Sequence, residues 1–195
     1  MSSFPASVDK AALRHTALSA REALGENVRA AKAEAIALRD LPFEIAPGKV
    51  VAGYSPIRSE VDPFPLMRRL AARGALLVLP AIVGAERPLQ FRAFAFDGVL
   101  RRGPLGILEP PVETPTLAPD ILLVPLAAFD RSGHRIGYGA GHYDRTLKNL
   151  RRSRSITAVG LGFAVQEIES VPALSHDVVL DYVLTEAEVL FFRSS

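Results

Sequence analysis

The apolar positions of this chain change period several times, and each change marks an element. Between residues 7 and 24, Leu13, Ala17, Ala20 and Leu24 recur at helical spacing and share one face. Within that run, Ser19-Ala-Arg-Glu22 has the form of a capping box and predicts a second helix that restarts there and runs to about residue 39. Pro42, Pro47 and Gly48 break the pattern. Residues 49–54 (KVVAGY) and 75–79 (ALLVL) are short apolar runs with the character of buried strands, the second ending at Pro80. Between them, residues 65–73 have a helical pattern stopped by Gly74. Strand, helix and strand in that order form a parallel crossover unit.

The second half has a different texture. Residues 89–96 alternate well enough for an antiparallel or exposed-edge strand, and residues 109–119 (EPPVETPTLAP) form a proline-rich loop leading into a buried strand at 121–124. After a glycine-rich loop come a helix near 143–151 and strands near 157–161 and 182–184. No internal repeat or low-complexity tract divides the chain. The expectation is one three-layer α/β/α domain over residues 1–195, with a helical segment at about 7–40 and a sheet region at about 49–192. Its central sheet should be mostly parallel with an antiparallel or edge strand. Connections should be right-handed, and ligands should gather at the carboxyl ends of the strands.

Composition narrows the chemistry. Cysteine is absent, which removes disulfides, thiolate zinc sites, iron–sulfur clusters and a cysteine nucleophile. The amino terminus lacks a basic start followed by an apolar run, and no stretch approaches ~18 apolar residues, so a cytoplasmic protein without a membrane partner is expected. Net charge is only +2. The densest basic run, Arg151, Arg152 and Arg154, suits a solvated helix end, where cations favour the helix dipole. A small anionic ligand fits this balance better than nucleic acid. His15, His134, His142 and His176 show no pair at metal-ligand spacing, and no Gly-x-Ser-x-Gly elbow is present. A monomer or weak homo-oligomer is expected.

Three segments carry chemistry. Residues 129–145 (FDRSGHRIGYGAGHYDR) place Gly137, Gly139 and Gly141 at alternate positions between a strand and a helix. Backbone N–H groups there can approach a phosphate while the helix turns its positive end to the anion. Arg135 and Arg145 flank the loop, and Asp130 and Asp144 have the chemistry to hold a cation. Neither the P-loop nor the dinucleotide spacing is present, and an ordinary tight turn uses the same glycines. At the amino terminus Lys10, Arg14 and Arg21 fall within roughly 40° of one another at ~100° per residue, beside the Leu13/Ala17/Leu24 seam. That stripe is either a solvated face or a phosphate clamp. Third, Tyr54-Ser55-Pro-Ile-Arg-Ser-Glu60-Val-Asp62 lies just past a strand end, where ligand contact and helix capping are both open to Glu60 and Asp62.

Taken in order, Lys10-x-x-x-Arg14, Glu60-Val-Asp62, Val124-Pro125, Phe129-Asp130, Gly133-x-Arg135-Ile136-Gly137-Tyr138-Gly139-Ala140-Gly141-His142-Tyr143-Asp144 and Asp181…Thr185-Glu186 resemble the 5-formyltetrahydrofolate cyclo-ligases over residues 10–188. Gly106-Ile-Leu-Glu109-Pro110 matches a looser element of that family. The family usually has tyrosine at the position of His142, and some members have lysine at that of Ala140.

The resemblance implies an enzyme that uses ATP to phosphorylate the formyl oxygen of 5-formyltetrahydrofolate, after which N10 closes the ring to 5,10-methenyltetrahydrofolate. It further implies nucleotide contacts from Lys10, Arg14 and residues 135–143, with Lys10 and Arg135 in the catalytic role. Folate contacts fall to Ser55, Glu60 and residues 138–142, and Mg²⁺ to Asp144 and Asp181, which should then meet in space. Two other classes use similar residues: a sugar-phosphate isomerase or transferase, and a non-catalytic folate- or nucleotide-binding protein of the same fold.

Overall fold

The computed structural model describes residues 6–174 and 177–192, with side chains from Lys10 onward; His176 lies outside the described residues. Helices α1 (Ala6–Glu22) and α2 (Glu26–Leu38) come first, then strand β1 (Val50–Ala52), helix α3 (Phe64–Ala72) and strand β2 (Leu76–Ala81). Strands β3 (Gln90–Ala93), β4 (Arg101–Arg102), β5 (Leu108–Glu109), β6 (Ile121–Pro125), β7 (Ala128–Phe129) and β8 (Arg135–Ile136) follow. Helix α4 (His142–Arg151) and strands β9 (Thr157–Leu161), β10 (Tyr182–Leu184) and β11 (Val189–Phe191) complete the order.

Seven strands form the main sheet in the order β11-β10-β9-β6-β1-β2-β3. The five central strands are parallel; β3 and β11 run antiparallel at its two edges. Strict alternation along each strand sends side chains to opposite faces. Ile121 and Leu123 of β6 join Ile36 of α2 and Leu66, Met67 and Leu70 of α3 on one side. Leu122 and Val124 join Leu147 of α4 and Val183 on the other. The expected three layers are therefore α2/α3, the sheet, and α4.

Helix α1 belongs to neither layer. Its Ala17 packs with Ala128 and Ile136 of the small β7–β8 hairpin and with Val171 of the segment between β9 and β10. This lays the helix over the end of the sheet, at the carboxyl end of β6. The capping-box restart at Ser19 is not what separates α1 from α2: Ser19 lies inside α1. The chain breaks at Gly25 instead, with φ 43°, where no side chain caps α2. A glycine supplies the positive φ that ends one helix and admits the next without a cap. Two short hairpins, β4–β5 and β7–β8, occupy stretches where periodicity predicts loop.

Candidate active site

Strand order reverses between β1 and β6. From β1 the chain winds outward to β2 and β3, and from β6 it winds the other way to β9 and β10. Loops leaving two such neighbouring strands diverge and open a crevice at the strands' carboxyl ends. A cavity of about 530 Å³ lies there, walled by the segment after β1, by residues 135–144 throughout, and by Lys10 and Arg14 of α1. All fourteen site positions expected from the sequence other than Asp181 therefore meet in one place: Lys10, Arg14, Ser55, Glu60 and the ten residues 135–144.

Behind β1 the wall is buried. The Tyr54 hydroxyl donates to the carbonyl of Val61 at 2.7 Å, and Ser55 Oγ donates to the Leu108 carbonyl on the β4–β5 hairpin. Glu60 accepts the Ile57 N–H on Oε2 at 2.9 Å, and among the described residues its carboxylate makes no hydrogen bond to the amino end of α3. That N-terminal contact belongs to Asp62, whose Oδ1 accepts the Phe64 N–H. Burial raises the Glu60 carboxyl from 4.5 to about 7, outweighing the Ile57 N–H and the Arg21 and Arg58 cations that act against it. Burial also raises the Tyr54 and Tyr143 hydroxyls, and the Glu60 charge adds to both. A carboxyl poised near neutrality among apolar and phenolic groups is the kind of perturbed residue that clusters at functional sites.

The opposite wall is cationic. Arg14 Nε donates to the carbonyl of Gly137 at 2.7 Å, bridging α1 to the glycine loop. Arg135, 9% exposed, donates through Nη1 to the Val178 carbonyl and through Nη2 to Asp144 Oδ1 at 2.9 Å. Lys10 pairs with Asp177. Arg145 Nη2 donates to the carbonyls of Ala85 and Ala140, and its Nε is buried without a partner. Two pocket cations are thus matched by carboxylates, whereas Arg14 and Arg145 hold neutral oxygens. Gly141 precedes α4 with φ 67° and no side-chain cap, so no capping side chain occupies the helix's first N–H groups.

Asp181 departs from expectation. Its Oδ2 accepts Arg151 Nη2 at 2.8 Å and the Ala158 N–H at 2.7 Å, at the start of β9 and β10. Arg151 lies seven positions beyond Asp144 on α4, roughly 10 Å along the axis at ~1.5 Å per residue. The structure therefore does not bring Asp144 and Asp181 together. An aspartate just before a strand meets the strand's amino end, and the cavity is at the carboxyl end. Asp130 is likewise no cation ligand on this geometry: it is 3% exposed, and its two oxygens accept the N–H groups of Ser132, His134 and Val171. Among the described residues no three His, Asp or Glu side chains converge as a metal-binding group.

Sequence reasoning missed Asp177 and the depth of Arg21. The second had a signal. Leu13 and Ala17 step by four, and the next step lands on Arg21, which is 1% exposed. Nothing in the sequence near Asp177 ties it to Lys10, because that pair spans 167 positions.

With this geometry in view, the relatives are informative. The family model for 5-formyltetrahydrofolate cyclo-ligases matches residues 6–186. A 5-formyltetrahydrofolate cyclo-ligase of Mycolicibacterium smegmatis is 36% identical over 185 residues, covering 90% of this chain and 93% of that protein. One from Haemophilus influenzae is 33% identical over 141 residues, or 70% of this chain and 75% of its own length. The solved structure of Aquifex aeolicus 5,10-methenyltetrahydrofolate synthetase is similar with a TM-score of 0.79 at 32% identity, covering 95% of this chain and 94% of that one.

Proposed function

The chain belongs to the 5-formyltetrahydrofolate cyclo-ligase family, and on that premise we propose that it converts 5-formyltetrahydrofolate to 5,10-methenyltetrahydrofolate, consuming ATP and releasing ADP and phosphate. The observation that carries this reading is a single cavity that joins a buried carboxyl, Glu60, to a glycine loop ringed by cations. One end suits the donor edge of a pterin and the other suits phosphate.

An amide oxygen is a poor leaving group. Transfer of the terminal phosphoryl group to the formyl oxygen turns it into one. The N10 lone pair then attacks the formyl carbon, N10 loses its proton, and the C–O bond breaks to release phosphate as the five-membered ring closes. Phosphoryl transfer chiefly needs positioning and charge neutralisation. Lys10, Arg14 and Arg135 supply the positive charge, and the backbone N–H groups of residues 137–141 supply donors to the phosphate oxygens. Glu60 accepts hydrogen bonds from the pterin, while Ser55 and residues 138–142 flank the folate. The deciding assay is purified protein with 5-formyltetrahydrofolate, with and without MgATP, read by the absorbance of the methenyl product and by ADP release. Turnover indifferent to ATP, or none at all, sinks the reading.

Magnesium would neutralise charge on the phosphate oxygens and fix their geometry. Of the two carboxylates expected to hold it, Asp144 lines the cavity, where its Oδ1 also accepts Arg135 and the Val178 N–H. One carboxylate together with nucleotide oxygens and waters is an ordinary Mg²⁺ environment. We therefore assign the metal to Asp144 alone and give Asp181 a structural role. Asp144→Ala should raise the Mg²⁺ concentration for half-maximal rate. Asp181→Ala should leave that value unchanged but lower Tm by roughly 3–6 °C, since the Arg151 and Ala158 contacts are lost. Mg²⁺ titrations of initial rate, with melting curves of both variants, check this. A raised Mg²⁺ requirement in Asp181→Ala restores that residue to the metal.

A further inference from the structure

Among the described residues Arg21 is the largest side chain buried essentially completely, at 1% exposure, yet its three acceptors are all neutral. Its Nε donates to Ser59 Oγ at 3.0 Å, Nη1 to the Leu126 carbonyl at 3.4 Å and Nη2 to the Tyr138 hydroxyl at 2.6 Å. Burying a guanidinium without an acid is costly, and a neutral amide would satisfy the same oxygens more cheaply. The charge itself therefore needs a reason.

The three acceptors supply one. Ser59 adjoins Glu60 in the loop after β1; Leu126 follows β6; Tyr138 stands in the glycine loop. These are the segments that diverge at the switch point. One guanidinium ties all of them to α1, and its carbon lies 5.9 Å from the centre of the Tyr138 ring. Arg21 is nonetheless absent from the cavity wall. The buried acid nearest in effect is Glu60. Arg21 acts on it from α1 and Arg58 from its own loop, while the Glu60 charge in turn raises the hydroxyls of Tyr54, just past β1, and Tyr143 of α4.

We propose that Arg21 is a positioning residue for the folate half of the site. Touching neither substrate, it aligns the Ser59–Glu60 corner with the Tyr138 ring and provides the positive charge beside which Glu60 meets the pterin as a carboxylate. This rests on the folate role proposed for Glu60. Of the two cations that favour the Glu60 carboxylate, Arg21 is the stronger. Removing it lets burial raise that carboxyl further, so more of it is protonated at neutral pH.

The test is calorimetric titration of 5-formyltetrahydrofolate into the ligand-free protein between pH 6 and 9. Wild type, Arg21→Met, Ser59→Ala, Glu60→Gln and the Arg21→Met/Glu60→Gln double variant are compared. In wild type, affinity should rise through neutrality as Glu60 ionises. In Arg21→Met the midpoint should move up by about one pH unit, making binding about fivefold weaker at pH 7 and about tenfold weaker at pH 6. Both variants carrying Glu60→Gln should lack the titration. Ser59→Ala, which frees the loop but keeps the charge, should weaken binding about three- to tenfold with the wild-type midpoint. An Arg21→Met midpoint equal to that of wild type overturns the proposal, and so does an unchanged folate Kd in Ser59→Ala. Should Arg21→Met fail to fold, the Ser59→Ala result decides alone. A wild type that does not bind 5-formyltetrahydrofolate removes the functional reading and this inference with it. Binding by wild type, matched by both the Arg21 and Ser59 variants, removes only the role of Arg21.

Discussion

Glu60→Gln should make the ligand-free protein more stable at pH 8 while making it a poorer folate binder. The two effects share one cause. The folded protein holds the Glu60 carboxyl at about 7, above its ordinary 4.5, because burial penalises the charged form. Below pH 4.5 the carboxyl is protonated in both folded and unfolded chains and costs nothing. As pH rises from 4.5 through about 7, the unfolded chain gains stability from ionisation that the folded chain cannot match, and folding weakens. A move from 4.5 to about 7 corresponds to roughly 3 kcal/mol at ~1.36 kcal/mol per pH unit.

Glutamine keeps the shape and can accept the Ile57 N–H, but it never ionises. At pH 8 the variant should therefore melt roughly 6–12 °C above wild type, with the gap closing as pH approaches 4.5. Its folate affinity should fall by about 1.5–3 kcal/mol, since charge-assisted hydrogen bonds to the pterin become neutral ones. ATP affinity should not change. Melting curves from pH 4.5 to 8 and calorimetric titrations of both ligands read these outcomes separately. A variant no more stable than wild type at pH 8 shows that burial does not raise the Glu60 carboxyl. Equal folate affinity removes it from the pterin.

How much of this was legible in the sequence depends on the range of the interaction involved. Apolar periodicity located β6, β9, β10, α3 and α4 within a residue or two, because each buries a complete side or stripe and so leaves its period in the chain. The β4–β5 and β7–β8 hairpins have two-residue strands, too short for any period to register. The β11 edge strand is only three residues long and half-exposed. At the site, local composition identified the glycine loop and its flanking arginines. Pairings set by the fold stayed hidden. Asp181 stands before a strand, and only strand direction shows that this is the wrong end of the sheet for a ligand. Arg21 looked like one more member of a basic stripe until the β7–β8 hairpin and the Ser59 corner closed over it.

The largest loss of activity is expected from Arg135→Ala, and its interpretation requires separating two roles. Arg135 is nearly buried and joins Asp144 to the Val178 carbonyl, so its removal leaves Asp144 with an unmatched charge whose side chain is only 27% exposed. Breaking such a pair costs about 3 kcal/mol, which lowers Tm by roughly 6–12 °C in a chain of this size. The phosphate role proposed for Arg135 is additional. Losing one preorganised donor that meets developing charge typically lowers kcat by about 10²–10³-fold. Adding Asp144→Asn to Arg135→Ala removes the stranded charge and should recover much of the Tm without recovering turnover. Arg135→Lys restores a charge but replaces the two separately placed Nη1 and Nη2 donors with a single nitrogen, so it should fall between the wild type and alanine. The deciding measurement is the rise in Tm produced by MgATP, because a ligand that binds only the folded state stabilises by mass action whatever the starting Tm. In Arg135→Ala that rise should largely disappear. A variant that melts early yet retains the full MgATP-induced rise would show that Arg135 serves Asp144 and the fold, with the phosphates held by Arg14, Lys10 and the glycine-loop backbone.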